Sequence, residues 1–236
     1  MPSKSTPIER ASLFRRRLLS WFHRHGRDLP WRRTRDPYRV LVSEVMLQQT
    51  QVARVEAYYH RFLGVFPTVE ALARARPARV REEWEGLGYY RRAANLHRLA
   101  RDVVRDHDGK IPDDIDMLRR LPGVGRYTAG AVASFAFERA VPAVDTNVAR
   151  VLRRAFHPRA RKNALGERKL WETATRLNHT PGPRAWTFNQ AIMELGATIC
   201  TARVARCEVC PVVLACFTGE KRQRSTVNGQ REKPRE

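Results

Sequence analysis

The 236-residue chain carries 45 Lys and Arg against 24 Asp and Glu, which gives a formal net charge of +21. So large a positive excess predicts a polyanionic partner, and nucleic acid is the commonest one. No stretch approaches the roughly 18 consecutive apolar residues of a membrane-spanning helix, and the N-terminus has no apolar core of a signal peptide. We therefore expect no membrane partner and a location in the cytoplasm, or in the nucleus of a eukaryote.

Apolar residues recur at helical spacing along most of the chain, with Pro, Gly and capping residues between the runs. No segment alternates as a half-buried strand does, so the sequence predicts an all-α fold of roughly ten helices. The polar residues 1–7 and the charged tail 218–236 have nothing to bury and are predicted to be disordered. Besides a helix capped by Thr68, helices are predicted over 8–25, 38–51, 53–66, 77–85, 91–106, 115–120, 126–137, 146–156, 165–177 and 184–198.

Residues 121–125 read Leu-Pro-Gly-Val-Gly and predict a tight turn between two helices. Pro122 ends the first helix, while Gly123 and Gly125 permit backbone angles and close approaches that a side chain forbids. Amide groups at the start of the next helix point outward, and the helix dipole adds positive potential, so a phosphate group suits this position. An ordinary helix connection fits the same residues, and the charge of the whole chain favours the phosphate site.

Glu44 stands among apolar residues of the helix predicted over 38–51, and Gln48, Gln49 and Thr50 follow it. A lone Glu is most often exposed to solvent. The polar residues that follow extend a stripe along an otherwise apolar helix, and such a stripe can line a groove. A carboxylic acid kept protonated by an apolar pocket can protonate a leaving group, so Glu44 is a candidate general acid.

Asp145 stands at the predicted start of a helix, where N-capping is its ordinary role. The helix dipole and the capping hydrogen bonds favour the ionised form, so we expect a lowered pKa. Two carboxyl groups whose pKa values are pushed apart can serve as acid and stabiliser when a glycosidic bond breaks through an oxocarbenium-like state. Spacing alone does not bring Glu44 and Asp145 together.

All cysteines of the chain fall in one segment with the spacing C-x6-C-x2-C-x5-C. In a reducing compartment, clustered thiols indicate metal ligands rather than disulfides. Zinc sites usually show two close pairs, whereas this segment has one, so an iron–sulfur cluster fits better and zinc remains the alternative. The candidate metal ligands are Cys200, Cys207, Cys210 and Cys216.

The hairpin LPGVGRYTAG, Asp145 and the cysteine spacing resemble the helix-hairpin-helix base-excision DNA glycosylase superfamily typified by endonuclease III. The resemblance is closest to the adenine-DNA glycosylases called MutY, although the given sequence is expected to lack their C-terminal 8-oxoguanine recognition domain. The motifs that carry it are RDLPWR at 27–32, SEVMLQQTQV at 43–52, GLGYYRRAANLH at 86–97 and FNQAIMELGATIC at 188–200.

The resemblance implies a two-domain fold. A six-helix domain over 28–142 would contain the helix-hairpin-helix, and residues 8–27 plus 143–217 would form a discontinuous domain with a [4Fe-4S] loop. Residues 218–236 would be a polar tail. The expected partner is double-stranded DNA with a mismatched or damaged base pair, bound by a monomer associated with the nucleoid.

The resemblance also implies roles for individual residues. Glu44 would protonate adenine at N7, and Asp145, across a cleft, would stabilise the oxocarbenium ion that develops as the C1′–N9 bond breaks. Tyr127 and Asn147 match positions that support this chemistry. The expected DNA-binding residues are Arg27, Trp31, Leu47 and Gln190 in the wall of the base pocket, Gln48 in the polar stripe, Gln49 and Tyr89 as wedges beside the lesion pair, and Gly123 and Gly125 in the hairpin.

Tyr127 bears on the type of reaction. Superfamily members that also cut the DNA strand carry a Lys at this position, and its amine attacks C1′ to form a Schiff base. This chain has no Lys between Lys110 and Lys162. We therefore expect a monofunctional glycosylase that releases the base by hydrolysis.

Three functions remain open. Excision of adenine opposite guanine or 8-oxoguanine ranks first, because residues 43–52 and the GLGYY segment follow the MutY pattern. Tyr127, the Asp-Thr-Asn of 145–147 and the short length also resemble thymine and uracil mismatch glycosylases that act on T:G or U:G. A non-catalytic DNA-binding module with a structural metal is the third, and it predicts that Asp145→Asn changes no activity.

Overall fold

The computed structural model describes residues 6–220 and confirms the all-α prediction. Within these residues there is no β-strand, and the only extended pairing is an isolated bridge between Cys200 and Ala205. None of the helices in this part of the chain has the length and apolarity needed to span a bilayer. The α-helices are α1 Pro7–His25, α2 Pro37–Leu47, α3 Val52–Val65, α4 Val69–Arg74, α5 Pro77–Glu83, α6 Arg91–Asp106, α7 Ile115–Arg120, α8 Arg126–Phe135, α9 Thr146–Phe156, α10 Ala164–Leu177 and α11 Pro183–Thr198.

The chain folds as two compact units. One is Asp28–Arg139, and the other combines the residues up to Arg27 with those from Ala140 onward. The predicted boundary at 142 lies three residues beyond the observed one at Arg139. Each unit is described separately below.

The unit Asp28–Arg139 contains α2 to α8, one α-helix more than the six that the resemblance implies. Helix α2 packs against α3, α6 and α8, while α6 also carries α4 and α5. Large side chains such as Phe62, Trp84 and Leu96 are completely or almost completely buried. The centre of this unit is therefore α2, which is the helix that carries Glu44.

The discontinuous unit is built from α1, α9, α10 and α11. On α9 the residues Val148, Val151, Leu152 and Ala155 are buried, and their spacing of three and four residues places them on one face. That face packs against α10 and α11. Because the core fixes α9 along its length, it also fixes Asp145 at the N-terminus of that helix.

Several helix ends differ from the predictions. Helix α1 begins at Pro7 because Thr6 and Glu9 form a capping box, so the predicted disorder of 1–7 is wrong at Thr6 and Pro7. Residues 217–220 are helical, and Glu220 pairs with Arg10 at 3.1 Å, so the tail begins later than predicted. Residues 1–5 and 221–236, for which disorder is also predicted, lie outside the described part of the chain.

The end of α2 is the largest local difference. The helix stops at Leu47, four residues before the predicted end at Gln51, and Gln48 is extended with φ −60° and ψ 112°. Gln49 then has a φ of 57°, in the left-handed region. The predicted polar stripe along a continuous helix is therefore wrong, because Gln48, Gln49 and Thr50 lie in a turn.

Candidate active site

Glu44 is a buried carboxyl group, with 3% of its surface exposed. It lies in the second half of α2, and the neighbouring residues Val42, Val45 and Met46 are buried as well. The Tyr127 hydroxyl donates a hydrogen bond of 2.7 Å to Glu44 Oε2. The phenol donor fixes the direction in which the carboxyl group points.

The hairpin brings Tyr127 to Glu44. Tyr127 is the second residue of α8, directly after the turn that follows α7, and α8 packs on α2. Gly123 is required by the backbone, since its φ is +78° and an added Cβ would lie 2.9 Å from Asn95 atoms. Gly125 has an ordinary φ of −88°, and an added Cβ would meet no atom within 4 Å. The prediction that the turn itself requires both glycines is thus wrong for Gly125.

The N-terminus of α8 suits an anion. Gly125 is its N-cap residue, so α8 has no side-chain cap, and its first turn contains no acidic residue. The positive end of the helix dipole therefore favours a negative group at this position. A side chain at Gly125 would stand at this end of the helix, and its Cβ would meet no atom within 4 Å.

Asp145 is the N-cap residue of α9, as predicted. Its Oδ1 accepts from the Val148 amide at 2.7 Å, and its Oδ2 accepts from Asn147 Nδ2 at 2.8 Å. Burial raises the pKa of Asp145 above its ordinary value, and the hydrogen bonds and Arg150 oppose that rise. The predicted lowering of this pKa is wrong, because desolvation outweighs the donors.

Helix α9 links Asp145 to the cysteine segment. Asn147 Oδ1 accepts from Arg150 Nη2 at 2.8 Å, and Arg150 Nε donates to the Cys200 carbonyl at 2.8 Å. One turn later, Arg154 Nη1 donates to the Cys200 Sγ at 3.3 Å. The sequence contains these arginines without any sign of their role, since Arg occurs throughout the chain.

The predicted metal ligands line one small cavity together with α9. A backbone amide, that of Gly219, points to Cys216 Sγ at 3.4 Å. Burial raises the pKa of Cys210 to about 12 and also raises the pKa of Cys216. Among residues 6–220, no group of three or more His, Cys, Asp or Glu side chains is arranged to hold a single metal ion. The residues that share the cavity are Cys200, Cys207, Cys210 and Cys216.

Five of the predicted DNA-binding side chains lie in Asp28–Arg139, and two of them are exposed while three are not. Gln49 and Tyr89 are exposed, Tyr89 to 63%, and both have a positive φ. Trp31 is buried and its ring meets that of Tyr59 edge-on at 5.6 Å, so it serves the core. Gln48 Nε2 contacts Thr128 Oγ1 of α8 at 3.4 Å. Leu47, half-buried, ends α2.

Two further predicted residues lie in the discontinuous unit. Arg27 donates to both carboxylate oxygens of Glu194, at 2.6 and 3.1 Å. Gln190 is buried one helical turn before Glu194 on the same face of α11. The sequence analysis missed Glu194, although its spacing of four residues from Gln190 in an otherwise apolar stretch was a usable signal.

Comparison with known proteins now identifies the family. Residues 42–176 match the HhH-GPD superfamily of base excision DNA repair proteins. This chain belongs to that superfamily. The match begins at the middle of α2 and extends through the hairpin and α9, so it includes Glu44, Tyr127 and Asp145. The predicted resemblance to this superfamily is confirmed.

The proteins that this HhH-GPD chain is similar to carry three different names. Over 196 aligned residues, the chain is 49% identical to an adenine DNA glycosylase of Mycolicibacterium smegmatis. The aligned part is 83% of this chain and 66% of that relative. The structure of a thermostable thymine-DNA glycosylase aligns with 92% of this chain over 100% of its own length, at 32% identity and a TM-score of 0.84. A non-covalent endonuclease III–DNA complex covers 93% of this chain and 100% of the solved chain, at 26% identity and a TM-score of 0.77.

The structure of this HhH-GPD protein groups the predicted site residues within each unit. In Asp28–Arg139, α2 and α8 bring together Glu44, Tyr127 and Gln48. In the discontinuous unit, the start of α9 brings together Asp145 and Asn147. The partners that sequence analysis missed are Arg92, Thr128, Arg150, Arg154 and Glu194.

Proposed function

We propose that this protein is a monofunctional DNA glycosylase that removes adenine mispaired with guanine or 8-oxoguanine. The observation that carries the proposal is the buried Glu44 with the Tyr127 hydroxyl at 2.7 Å, a carboxyl group placed for proton transfer. The 49% identity to an adenine DNA glycosylase supports adenine as the base. The chain spans 66% of that relative's length, so the activity of the whole relative is carried over to this chain as a proposal.

In the proposed reaction Glu44 is the general acid. Its proton passes to N7 of the adenine, so the base departs as a neutral molecule while the C1′–N9 bond breaks. Tyr127 holds the carboxyl group in one orientation, which keeps the proton directed at the base. A water molecule supplies the hydroxyl group that ends on C1′, and its remaining proton restores the acid.

Asp145 has the complementary role. Positive charge develops on the sugar as the base leaves, and an ionised carboxylate close to C1′ lowers the energy of that state. The Val148 amide and Asn147 side chain hold both oxygens of Asp145, so the charge is fixed in place before the reaction begins.

A lyase step is not part of this proposal. Tyr127 has a phenol where a Schiff base requires an amine, and no lysine occurs between Lys110 and Lys162. Incubation with abasic DNA and borohydride should therefore trap almost no covalent complex. Efficient trapping would contradict the assignment as a monofunctional enzyme.

DNA is the proposed partner, held in part by the N-terminus of α8. The start of α8 has the positive end of the helix dipole and no acidic residue in its first turn, so it suits a phosphate oxygen. The net charge of +21 supports a large electrostatic contribution to binding. The affinity for duplex DNA should fall steeply as salt is raised, and a flat response would count against this surface.

We propose that the cysteine segment holds a [4Fe-4S] cluster. Each thiolate of such a cluster binds a different iron, so the sulfurs need not converge as they would on one ion. Four cysteines lining one cavity, with the Arg154 guanidinium and the Gly219 amide directed at two sulfurs, support this donor set. When bound, the cluster cross-links the segment beside α9 and takes no part in hydrolysis. Iron and sulfide analysis of the purified protein tests this proposal.

The identity of the base is tested with matched duplexes that contain A:G, A:8-oxoguanine, T:G or U:G. Release of adenine from the first two supports the proposal. The second candidate is thymine excision, favoured by the thymine-DNA glycosylase structure whose full length this chain covers. Release from T:G or U:G alone would establish that candidate and overturn adenine.

A further inference from the structure

Arg92 is a buried cation that has no carboxylate partner among residues 6–220. It is the second residue of α6, and 8% of its surface is exposed. Within the described residues its two terminal nitrogens donate only to carbonyl and hydroxyl oxygens. The acceptors are the carbonyls of Val45 at 3.0 Å, Met46 at 2.8 Å, Gln48, Leu87 at 3.2 Å and Gly88 at 3.1 Å, and Thr50 Oγ1 at 3.0 Å.

These acceptors lie in two segments that are far apart in the sequence. One is the end of α2 and the turn after it, and the other is the turn that precedes α6. The last carbonyls of any helix lack an amide partner, and a cation at this end also interacts well with the helix dipole. Arg92 therefore replaces the amides that a longer α2 would have supplied, and it ties the two turns together.

Each turn presents one exposed side chain from an unusual backbone conformation. Gln49 lies between two residues that accept from Arg92 and has a φ of 57°, while Tyr89 follows Gly88 with a φ of 48°. The Arg92 guanidinium carbon also lies 5.6 Å from the centre of the Tyr89 ring. Non-glycine residues in this conformation persist when surrounding contacts hold them. The hydrogen bonds of Arg92 are such contacts in both turns, and Trp84 Nε1 adds one to the Gly88 carbonyl at 3.2 Å.

We propose that Arg92 is a positioning residue that holds Gln49 and Tyr89 in place to enter the base stack when the target nucleotide leaves it. The inference rests on the proposed glycosylase function. An enzyme that acts on a base in a duplex must extrude it, and unstacking is costly unless other groups fill the gap. An aromatic ring can stack on neighbouring bases, and an amide can bond the unpaired partner base.

A guanidinium is needed for this arrangement because its planar fork reaches acceptors in both turns at once. Lysine keeps the charge but offers a single nitrogen, so Arg92→Lys should loosen one of the turns. The matched control is Arg61→Lys, which changes another arginine of the same unit that bonds a backbone carbonyl, that of Glu83 at 2.7 Å. Arg61 also pairs with Glu83 Oε2 at 3.1 Å, and its guanidinium carbon lies 4.6 Å from the centre of the Tyr58 ring.

The test uses a duplex in which the fluorescent analogue 2-aminopurine replaces the target adenine, since its emission rises on extrusion. Arg92→Lys should reduce the rise in emission with this duplex. With the matched duplex that contains adenine, it should slow single-turnover release by about tenfold, which corresponds to the loss of one or two hydrogen bonds. Affinity for undamaged duplex and the melting temperature of the folded protein should change much less. Arg61→Lys should behave as the parent protein does.

Double substitution separates positioning from general support of the fold. If Arg92 acts through Tyr89, Arg92→Lys should have little further effect on extrusion once Tyr89→Ala is present. The inference would be overturned if the double variant lost extrusion by the full product of the two single losses. It would also be overturned if Arg92→Lys alone left the 2-aminopurine signal unchanged. If Arg92→Lys fails to fold, Thr50→Val removes one acceptor and should weaken extrusion in the same direction, and no effect would be contrary evidence.

The same assays distinguish the two levels of the proposal. If the parent protein releases no base from any of the mismatched duplexes, the proposed function itself fails. If the parent protein is active and the Arg92→Lys and Thr50→Val variants extrude the analogue normally, only the role of Arg92 fails.

Discussion

Glu44 and Asp145 are the candidate catalytic carboxyl groups of the two units, but they occupy opposite kinds of position on a helix. Glu44 lies inside α2, where backbone amides are already used, and its described donor is the side chain of Tyr127. Asp145 lies before the first turn of α9, where the Val148 amide is available to it. The helix interior leaves no backbone amide for the Glu44 carboxyl group, whereas the helix start supplies one to Asp145.

The largest expected effect follows from removing the charge at the helix start. Asp145→Asn should slow base release by roughly 1,000-fold, as loss of a charge-stabilising group at a reacting centre does. Asparagine is as good an N-cap residue as aspartate, so α9 should remain intact. Single-turnover release of adenine measures the rate, and circular dichroism checks the fold. Undiminished release would remove Asp145 from the mechanism.

Removing the acid inside α2 should cost less. Glu44→Gln keeps the shape and the acceptor for Tyr127 but cannot deliver a proton, so release should slow by about 100-fold. Binding of the same duplex, measured by fluorescence anisotropy, should change little. If binding weakens as much as the rate falls, Glu44 serves recognition instead of proton transfer.

The orientation of the acid can be tested separately. Tyr127→Phe removes only the hydroxyl that donates to Glu44 Oε2, and the ring stays in place. We expect base release to slow by about tenfold, the worth of a hydrogen bond to an acidic group. The loss should nearly vanish in a Glu44→Gln background, because the proton donor is already absent. A full additional loss there would show that Tyr127 acts independently.

Substitutions of the two hairpin glycines should affect two different properties, the stability of the fold and the affinity for DNA. Gly125→Ala meets open space at an ordinary φ, so it should leave the melting temperature unchanged and weaken duplex binding by about fivefold at the α8 N-terminus. Gly123→Ala should lower the melting temperature, since φ is +78° and Asn95 is close. Equal binding by Gly125→Ala and the parent protein would exclude a phosphate at this position.

The smallest expected effect concerns stability. Burial raises the pKa of Asp145 above the ordinary 3.8, so the folded state holds the proton more tightly than the unfolded state does. Stability is therefore lost as the pH rises through the ordinary pKa and the raised one. Asp145→Asn should be more stable than the parent protein at neutral pH, and the difference should shrink as the pH falls towards 3.8. Urea unfolding at several pH values measures it, and a difference independent of pH would contradict the raised pKa.

Local signals predicted much of the fold. The bounds of α6 and α7 agree with the prediction, and Thr68 and Asp145 cap α4 and α9 as expected. In each case the determining contacts lie within a few residues along the chain, where apolar spacing, caps and breakers act. The family resemblance, read from ordered motifs, supplied the candidate site residues.

Long-range contacts decided what local patterns could not. Helix α2 was predicted four residues too long because Arg92, more than 40 residues later, takes its last carbonyls. The hydroxyl group that donates to Glu44 belongs to Tyr127, which lies 83 residues further along the chain. The predicted direction of the shift in the Asp145 pKa was wrong, because the sequence shows the capping donors beside Asp145 but does not show its burial.

The sequence by itself determined the helical class, most helix bounds, the capping role of Asp145 and the chemical type of the candidate site. Only the tertiary structure decided where α2 ends, which donor Glu44 receives and whether burial or hydrogen bonding governs Asp145. The reason is physical. Helix formation and capping depend on groups a few residues apart, whereas desolvation and the partners of buried polar groups depend on which distant segments pack together.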